Sequence, residues 1–251
     1  MATLPDLFDG SITAVIFDLD GVITDTASIH FRAWKSMFDD ELRRRADAGG
    51  PPFEPFEEAD YLTYVDGKPR VDGVRSFVES RGIHLPEGSD DDPPDAVTVH
   101  GLGRRKDRLF NEVLDRDGAE VFPGTVRLVE LLRADGIATG CVSSSKNCRP
   151  VLRSVGLLDH FDDIVDGIDA GERGLPGKPA PDTYLACARD LGAEPSTAAM
   201  VEDAVSGVQS GAAGGFRHVI GVDRGAGHDT LARWGATVVV DDLAELIPAG
   251  R

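Results

Sequence analysis

The stretch Ala14–Val22, AVIFDLDGV, places two carboxylates directly after a short apolar run. A run of this length, bounded by polar residues and glycine, is typical of a buried strand. Side chains alternate along an extended backbone, so Asp18 and Asp20 should point roughly the same way while Leu19 points to the opposite side. One carboxylate could then act as a nucleophile and the other as an acid or base. Asp-Gly also simply marks a turn, and this stretch alone does not separate the two interpretations.

Four further apolar runs alternate with segments of helical period. The runs are Ala138–Val142, Ala199–Val201, His218–Val222 and Thr237–Val240, and the helical segments include Thr125–Arg133, Pro181–Asp190 and Asp229–Trp234. This alternation predicts a parallel sheet with helices on both faces. The fold class is therefore predicted as α/β, with a doubly wound, Rossmann-like core.

Residues 18–137 separate the first two apolar runs, far more than one crossover helix requires. We therefore predict a mainly helical cap domain inserted at residues 26–115, between core segments 1–25 and 116–251. The insert opens with the amphipathic stretch His30–Leu42, and its Pro/Gly-rich segments 49–58 and 86–95 are predicted to be surface loops. The junctions near residues 25–26 and 115–118 are predicted hinges for closure of the cap, which should exclude water.

The composition is that of a globular protein with an acidic surface. A formal net charge of −18 disfavours nucleic-acid binding, which depends on clustered Lys and Arg. Cys141, Cys148 and Cys187 lack metal-ligand spacing and are predicted to be free thiols in a reducing compartment. The N-terminus has no basic region followed by an apolar run, and no segment has the length of a membrane span. We predict a cytoplasmic protein without membrane or nucleic-acid partners, and protein partners are left open.

A second pair of carboxylates, Glu202-Asp203, follows the apolar run Ala199–Val201 at its carboxyl end. Ligands of open α/β sheets bind at the carboxyl ends of strands, so the two acidic pairs should lie close together. Asp18, Asp203 and the backbone carbonyl of Asp20 could supply the hard oxygen ligands that Mg²⁺ prefers, with Glu202 nearby. We predict a metal site at these four residues, with Mg²⁺ favoured over Mn²⁺.

Two other segments carry phosphate-binding chemistry. Ser143–Asn147 follows a predicted strand and precedes a predicted helix, where hydroxyl and amide donors suit phosphate oxygens, although the segment could equally only cap the helix. Lys178, in Gly177–Asp182, would by itself be interpreted as a solvated surface lysine. Before a helix and after a long loop, it could instead offset the charge of a phosphate and of Asp18.

These four segments match, in content and order, the pattern of the haloacid dehalogenase superfamily, which the chain resembles over nearly its whole length. The resemblance implies that Asp18 attacks phosphorus and that Asp20 handles the proton on the leaving or attacking oxygen. It also implies that Ser143 and Lys178 hold the phosphoryl group, while Asp18 and Asp203 bind Mg²⁺.

Within that superfamily, the segments Phe17–Thr26 and His30–Lys35 resemble the β-phosphoglucomutases, as do the segments around Ser143 and Lys178. That family interconverts β-glucose 1-phosphate and glucose 6-phosphate through a 1,6-bisphosphate intermediate. The resemblance implies an isomerase of carbohydrate metabolism that acts on a small phosphorylated sugar. Glucose 1,6-bisphosphate would be its activating intermediate, and the enzyme itself would be transiently phosphorylated.

The same resemblance implies substrate-binding residues. In the cap they are His30, which would position Asp20 and the sugar, Arg70, which would bind the distal phosphate, and Lys106, which would contact sugar hydroxyls. In the core they are Ser144, Ser145, Lys146 and Asn147, for the phosphates. Taken singly, His30 could be a packed helix residue, Arg70 a loop cation and Lys106 part of a solvated basic run.

Two alternatives remain open from the sequence. A sugar-phosphate phosphatase with the same core would transfer the phosphoryl group from Asp18 to water instead of a sugar hydroxyl. A non-catalytic binding protein could keep the fold, but it would have no use for Asp18, Asp20, Lys178 and Asp203 together.

Overall fold

The computed structural model describes residues 10–247 of the chain. The chain folds into two compact units, a core unit of Met1–Asp25 with Ala119–Arg251 and a cap unit of Thr26–Gly118. The extreme N-terminus, for which the sequence predicts no leader segment, lies outside the described residues. Because the cap unit ends at Gly118, it extends slightly beyond the predicted boundary at residue 115.

Six strands and nine helices of seven or more residues make up the regular structure between residues 10 and 247. The strands are β1 Ala14–Asp18, β2 Ala138–Val142, β3 Asp163–Val165, β4 Ala198–Glu202, β5 His218–Val222 and β6 Val238–Val240. The helices are α1 Ala27–Asp47, α2 Arg70–Ser80, α3 Val99–Asp117, α4 Pro123–Ala134, α5 Cys148–Ser154, α6 Gly167–Arg173, α7 Asp182–Asp190, α8 Val205–Gly214 and α9 His228–Trp234. Short helical turns lie at Glu58–Asp60, Tyr61–Val65, Leu158–His160, Pro195–Thr197 and Leu243–Leu246.

The strands of the core unit form one parallel sheet in the order β3-β2-β1-β4-β5-β6. Every residue of β1 and β4 is buried, as expected for central strands covered on both faces. The chain order reverses between β1 and β4, and ligands of open α/β sheets bind at the carboxyl ends of strands at such a switch point. Asp18 ends β1 and Glu202 ends β4, so the topology brings the two predicted acidic pairs to this edge.

The cap unit is helical and has its own core. Its most extensive helix packing is between α1 and α3, and Trp34, Phe38 and Phe77 pack with the α3 residue Leu102 in a cluster of aromatic and aliphatic side chains. The ring centroids of Phe38 and Phe77 lie 4.2 Å apart. Helix α3 begins at an N-cap in which the Thr98 hydroxyl accepts a hydrogen bond from a backbone amide, which stabilises its first turn.

The Pro/Gly-rich segments 49–58 and 86–95 are largely irregular, but the first is not simply a surface loop. Phe56 is fully buried, and its ring lies 4.9 Å from that of Phe77. Its backbone amide donates to the carboxylate of Asp39, and its carbonyl accepts from Lys35. The surface-loop prediction is therefore wrong at this residue, because an aromatic side chain gains more from the cap core than from solvent.

The predicted α/β class with a doubly wound parallel sheet is confirmed. All five apolar runs of the sequence form strands, with small shifts at their ends. The edge strand β3 was not predicted, since it has only three residues and no apolar run marks it. None of the helices in the described part of the chain is long and apolar enough for a membrane crossing.

Candidate active site

A buried lysine lies between two carboxylates at the carboxyl ends of β1 and β4. The Nζ atom of Lys178 is 2.5 Å from Oδ1 of Asp18 and 2.5 Å from Oε1 of Glu202. Lys178 is 8 % exposed, Asp18 6 % and Glu202 0 %. The interpretation of Lys178 as a solvated surface lysine is therefore wrong. The loop before α7 carries its side chain inward, because the two carboxylates there offset the cost of burying an ammonium.

Burial and charge act in opposite directions on these groups. Burial raises the pKa of Asp18 well above its usual range; the nearby charge of Lys178 opposes the shift, while Glu202 and Asp20 add to it. Burial alone would lower the pKa of Lys178, but the carboxylates of Asp18 and Glu202 outweigh it and raise that pKa. Without a further cation, the site therefore favours a charged Lys178 and disfavours ionisation of Asp18.

Asp20 lies just beyond the end of β1, in a turn. The strand ends at Asp18, and Asp20 makes an isolated bridge to Thr24, whose carbonyl accepts from the amide of Gly21. Alternation along the strand therefore does not by itself place Asp20. Its charge is nevertheless close enough to raise the pKa of Asp18.

Gly21 lets the turn approach the second acidic pair. Its φ is +80°, a conformation that residues with a Cβ rarely adopt. A Cβ at this position would also overlap the carboxylate of Asp203. The missing side chain thus creates the space in which Asp203 packs against the turn that carries Asp20.

The donor set fits a hard divalent cation. One oxygen each from Asp18, Glu202 and Asp203 lies within 4.8 Å of the others. Carboxylate oxygens at this density are the ligands that Mg²⁺ takes in proteins, with water or phosphate oxygens completing the shell. The Asp20 side chain is outside this group, and its predicted contribution is the backbone carbonyl.

Glu202 differs from the other two acids because both its oxygens already accept hydrogen bonds. Oε1 accepts from the Tyr184 hydroxyl at 2.8 Å as well as from Lys178. Oε2 accepts from the backbone amides of Asp203 and Ala204, each at 3.1 Å. Its carboxylate therefore adds negative charge to the group of Asp18, Glu202 and Asp203 while protein donors hold it in place.

The segment Ser143–Asn147 forms a compact turn after β2. The Ser143 hydroxyl accepts from the amide of Ser145, whose own hydroxyl accepts from the amide of Asn147. At the N-cap of α5, Asn147 makes no side-chain capping bond. The segment also pairs with the next element, since the amide of Gly167 donates to the carbonyl of Ser145. These contacts hold the backbone of the loop that joins β2 to α5.

In the cap unit, the part-buried His30 pairs with the buried Lys106. Nζ of Lys106 lies 2.6 Å from Nδ1 of His30, and Lys106 is only 5 % exposed. The His30 ring stacks on Phe110, with centroids 4.3 Å apart, and the Lys106 ammonium lies over the same ring. A charged lysine can only donate, whereas the role of Nδ1 of His30 depends on the tautomer of its ring. The solvated interpretation of Lys106 is therefore wrong.

Arg70 is the first residue of α2 rather than a loop cation. Its Nη1 is 2.5 Å from Oδ1 of Asp107, the residue that follows Lys106 on α3, and its side chain packs beside Gly103. Nε of Arg70 is buried without a hydrogen-bond partner among the described residues. The structure thus brings Arg70 and Lys106 to the same stretch of α3.

The sequence alone does not identify Tyr184 or Asp107 as members of these groups. Tyr184 occupies an apolar position of a helical period, where an aromatic residue is normally only part of the core. Asp107 is one acid among many in a charged helix. Only the three-dimensional contacts distinguish the two.

Comparisons with known proteins agree with this geometry. Residues 12–215 match the model of the haloacid dehalogenase-like hydrolases. The chain is 51 % identical over 240 residues to a β-phosphoglucomutase of Mycobacterium bovis, covering 94 % of this chain and 92 % of that protein. It is 31 % identical to the β-phosphoglucomutase of Bacillus subtilis, covering 92 % and 94 %.

A solved structure is also similar. The β-phosphoglucomutase of Clostridium difficile superimposes with a TM-score of 0.75 at 25 % identity, covering 94 % of this chain and 93 % of that one. On the family match and the close relatives together, the chain belongs to the haloacid dehalogenase-like hydrolase family and is a homologue of the β-phosphoglucomutases.

Proposed function

We propose that the protein is a β-phosphoglucomutase, which interconverts β-D-glucose 1-phosphate and glucose 6-phosphate through an aspartyl phosphate and a 1,6-bisphosphate. The observation that carries the proposal is the buried group of Asp18, Lys178 and Glu202 at the switch point of the sheet. The identity to relatives with that name over almost the whole chain supports the substrate class.

Asp18 is the proposed nucleophile, and Lys178 is the fixed positive charge beside it. Phosphate monoesters react extremely slowly unaided, and enzymes accelerate their hydrolysis by up to ~10²¹. In phosphoryl transfer most of the acceleration comes from positioning and from neutralising the equatorial oxygens. The Lys178 ammonium, in contact with the attacking carboxylate, is placed to do both.

Asp18 and Asp203, with the backbone carbonyl of Asp20, are the proposed ligands of Mg²⁺, and Glu202 lies beside them. When bound, Mg²⁺ would neutralise charge on the phosphoryl oxygens and favour the ionised form of the nucleophile. Because burial raises the pKa of Asp18, its carboxyl needs such a cation nearby to favour the ionised form.

Asp20 is the proposed general acid and base. It would protonate the leaving sugar oxygen during transfer to Asp18 and later remove a proton from the attacking hydroxyl. Ser143 and the following Ser144, Ser145, Lys146 and Asn147 are proposed to bind phosphoryl oxygens, because their hydroxyls and amides lie in the loop that follows β2.

A mutase must hold a second phosphate, whereas a phosphatase need not. We assign this role to Arg70, whose buried Nε has no partner among the described residues. Lys106 and His30, which contact each other in the cap unit, are proposed to contact the sugar. A retained bisphosphate can reorient and return its other phosphate to the sugar.

The second candidate is a sugar-phosphate phosphatase with the same core. It is favoured by the hydrolase description of the family whose model matches residues 12–215. In that case water would accept the phosphoryl group from Asp18, and the cap residues would serve only to bind substrate.

One assay separates the candidates. The purified protein is given β-glucose 1-phosphate, Mg²⁺ and a trace of glucose 1,6-bisphosphate, while glucose 6-phosphate and free phosphate are followed together. The α anomer serves as the matched control. Glucose 6-phosphate that depends on the bisphosphate, without equivalent free phosphate, supports the mutase. Stoichiometric free phosphate would establish the phosphatase. The absence of both products would refute the assigned substrate.

A further inference from the structure

The Tyr184 hydroxyl contacts the charged group at the centre of the site without touching its nucleophile. It donates to Oε1 of Glu202 at 2.8 Å, and the same oxygen lies 2.5 Å from Nζ of Lys178. Tyr184 and Glu202 are both fully buried, so no water replaces either contact. Lys178 therefore shares its partner with a neutral donor.

Glu202 is fixed from every side that the structure describes. Its Oε2 is held by the backbone amides of Asp203 and Ala204. Helix α8 approaches so closely that a Cβ on Gly207 would overlap the carboxylate. Tyr184 supplies the donor on the remaining oxygen, and its ring is itself held edge-on against Phe216, with centroids 6.2 Å apart.

A fixed Glu202 restricts the position of Lys178, whose long, flexible side chain contacts two carboxylates. Phosphorylation of Asp18 would replace a carboxylate partner by phosphoryl oxygens, so only Glu202 would stay in place through the cycle. A hydrogen bond to an ionised acceptor is stronger than one between neutral groups. The Tyr184 hydroxyl thus spreads part of the charge on Oε1 and leaves more of the Lys178 charge for the phosphoryl group.

We propose that Tyr184 is a positioning residue for phosphoryl transfer, which fixes Glu202 and through it holds Lys178 against Asp18. The inference rests on the proposed function, because it gives Lys178 a role in transfer. It gives Tyr184 no contact with substrate or metal.

Tyr184→Phe removes the hydroxyl and keeps the ring. We expect kcat to fall about tenfold or more, in line with the loss of a buried hydrogen bond to a charged group. The KM for β-glucose 1-phosphate should stay near the wild-type value, because the inference gives Tyr184 no contact with the substrate. Tyr64→Phe, which removes a hydroxyl in the cap unit, is the matched control and should leave kcat unchanged.

A double-mutant cycle with Glu202→Gln tests the route of the effect. If Tyr184 acts through Glu202, the double variant should be about as slow as Glu202→Gln alone. Fully additive losses would mean that Tyr184 acts by another route, and a wild-type kcat in Tyr184→Phe would also overturn the inference. If the tyrosine variant folds poorly, Glu202→Gln, which keeps the shape of the side chain, tests the same route: a wild-type kcat in Glu202→Gln would overturn the inference.

Lys178→Gln, assayed with p-nitrophenyl phosphate, separates this inference from the proposed function. Loss of transfer in Lys178→Gln with normal turnover in Tyr184→Phe would overturn the role of Tyr184 and leave the proposed site standing. Normal turnover in both variants would refute the site itself.

Discussion

At the scale of single residues, the site has more negative than positive charge. Lys178 is the ammonium in direct contact with two carboxylates, and Asp203 adds a third carboxylate to the same group. Removing the Lys178 ammonium would leave the buried carboxylates of Asp18 and Glu202 without their cation, which typically costs about 3–5 kcal/mol. A divalent cation would balance the excess and make the nucleophile available in its ionised form.

Gly21→Ala tests whether close approach of Asp203 to the turn is required. The new Cβ would overlap the Asp203 carboxylate and must also adopt a φ near +80°. We expect the Mg²⁺ concentration for half-maximal rate to rise about tenfold or more, since a displacement of only ~1 Å near a reacting centre can cost 10²-fold.

The matched control for that substitution is Gly136→Ala. Gly136 has nearly the same φ, +77°, but a Cβ there meets nothing within 4 Å. Gly136→Ala should lower the melting temperature through the same backbone strain while leaving the Mg²⁺ requirement unchanged. Equal Mg²⁺ requirements in the two variants would contradict the role given to Gly21.

Arg70→Ala tests the distal-phosphate role. The guanidinium pairs with Asp107, and its buried Nε, which has no partner among residues 10–247, is the donor proposed for a phosphate oxygen. We expect mutase turnover to fall about 10²-fold, as for the loss of a charged, bidentate-capable donor, while hydrolysis of p-nitrophenyl phosphate changes little. Equal losses in both assays would show that Arg70 does not hold a second phosphate.

At the scale of elements, continuous apolar runs predicted the central strands because both faces of those strands are buried. The same logic could not find β3, which has three residues at the edge of the sheet and begins with Asp163. Punctuation by Pro and Gly predicted the irregular backbone of segment 49–58 but not the burial of Phe56. Local signals indicate backbone type well, whereas burial depends on what the rest of the chain provides.

Helix α6 supports the proposed phosphate loop through its first residue. A Cβ on Gly167 would meet the carbonyl oxygen of Ser144 at 2.6 Å and the amide of Lys146 at 3.1 Å. Gly167→Ala should therefore displace the loop and raise the KM for β-glucose 1-phosphate several-fold. The same variant should show weaker inhibition by inorganic phosphate.

Gly171→Ala lies in the same helix and is the control. Its Cβ would meet nothing within 4 Å, so the substitution should stabilise the helix by about 0.5–1 kcal/mol and leave KM unchanged. An unchanged KM in Gly167→Ala, with its fold intact by circular dichroism, would contradict the support given by α6.

At the scale of the whole molecule, the sequence places the acids but not their partners. Asp18 and Glu202-Asp203 follow apolar runs, so strand order alone brings them together. Tyr184 could not be predicted, because its hydroxyl matters only once the fold brings it to Glu202 at the end of β4. In the cap unit, the burial of Lys106 could not be predicted either. Lys106 is one of three adjacent cations in the sequence, and its burial against Phe110 follows from how α1 and α3 pack.

Stability of the metal-free protein should depend on the protonation of Asp18. Burial raises the pKa of Asp18 above its value of ~3.9 in the unfolded chain. Between the unfolded and folded pKa values the folded state holds more protons, so the free energy of unfolding falls as pH rises. In the variant Asp18→Asn, the new side chain cannot ionise, and Lys178 keeps Glu202 as its partner. Metal-free Asp18→Asn should therefore have a higher melting temperature than wild type at neutral pH. The increase should be about 2–4 °C for each kcal/mol gained in the free energy of unfolding.

Thermal unfolding across pH checks this prediction. The difference between Asp18→Asn and wild type should shrink towards about pH 4, where the unfolded carboxyl takes up its proton. Saturating Mg²⁺ should stabilise wild type more than the variant, because the variant lacks one anionic ligand. A variant that melts below wild type at neutral pH without metal would contradict the cost assigned to the buried carboxylate.

The most direct test of the account is to find the phosphoryl group on the protein. Wild type, Asp18→Asn and Asp20→Asn are mixed with radiolabelled glucose 1,6-bisphosphate and Mg²⁺, quenched in acid within milliseconds, and mapped by proteolysis. We predict a label that is stable to acid, labile to hydroxylamine and located at Asp18 in wild type, and absent from Asp18→Asn. Label at another residue, or turnover to glucose 6-phosphate by Asp18→Asn at a near-normal rate, would contradict the proposed nucleophile.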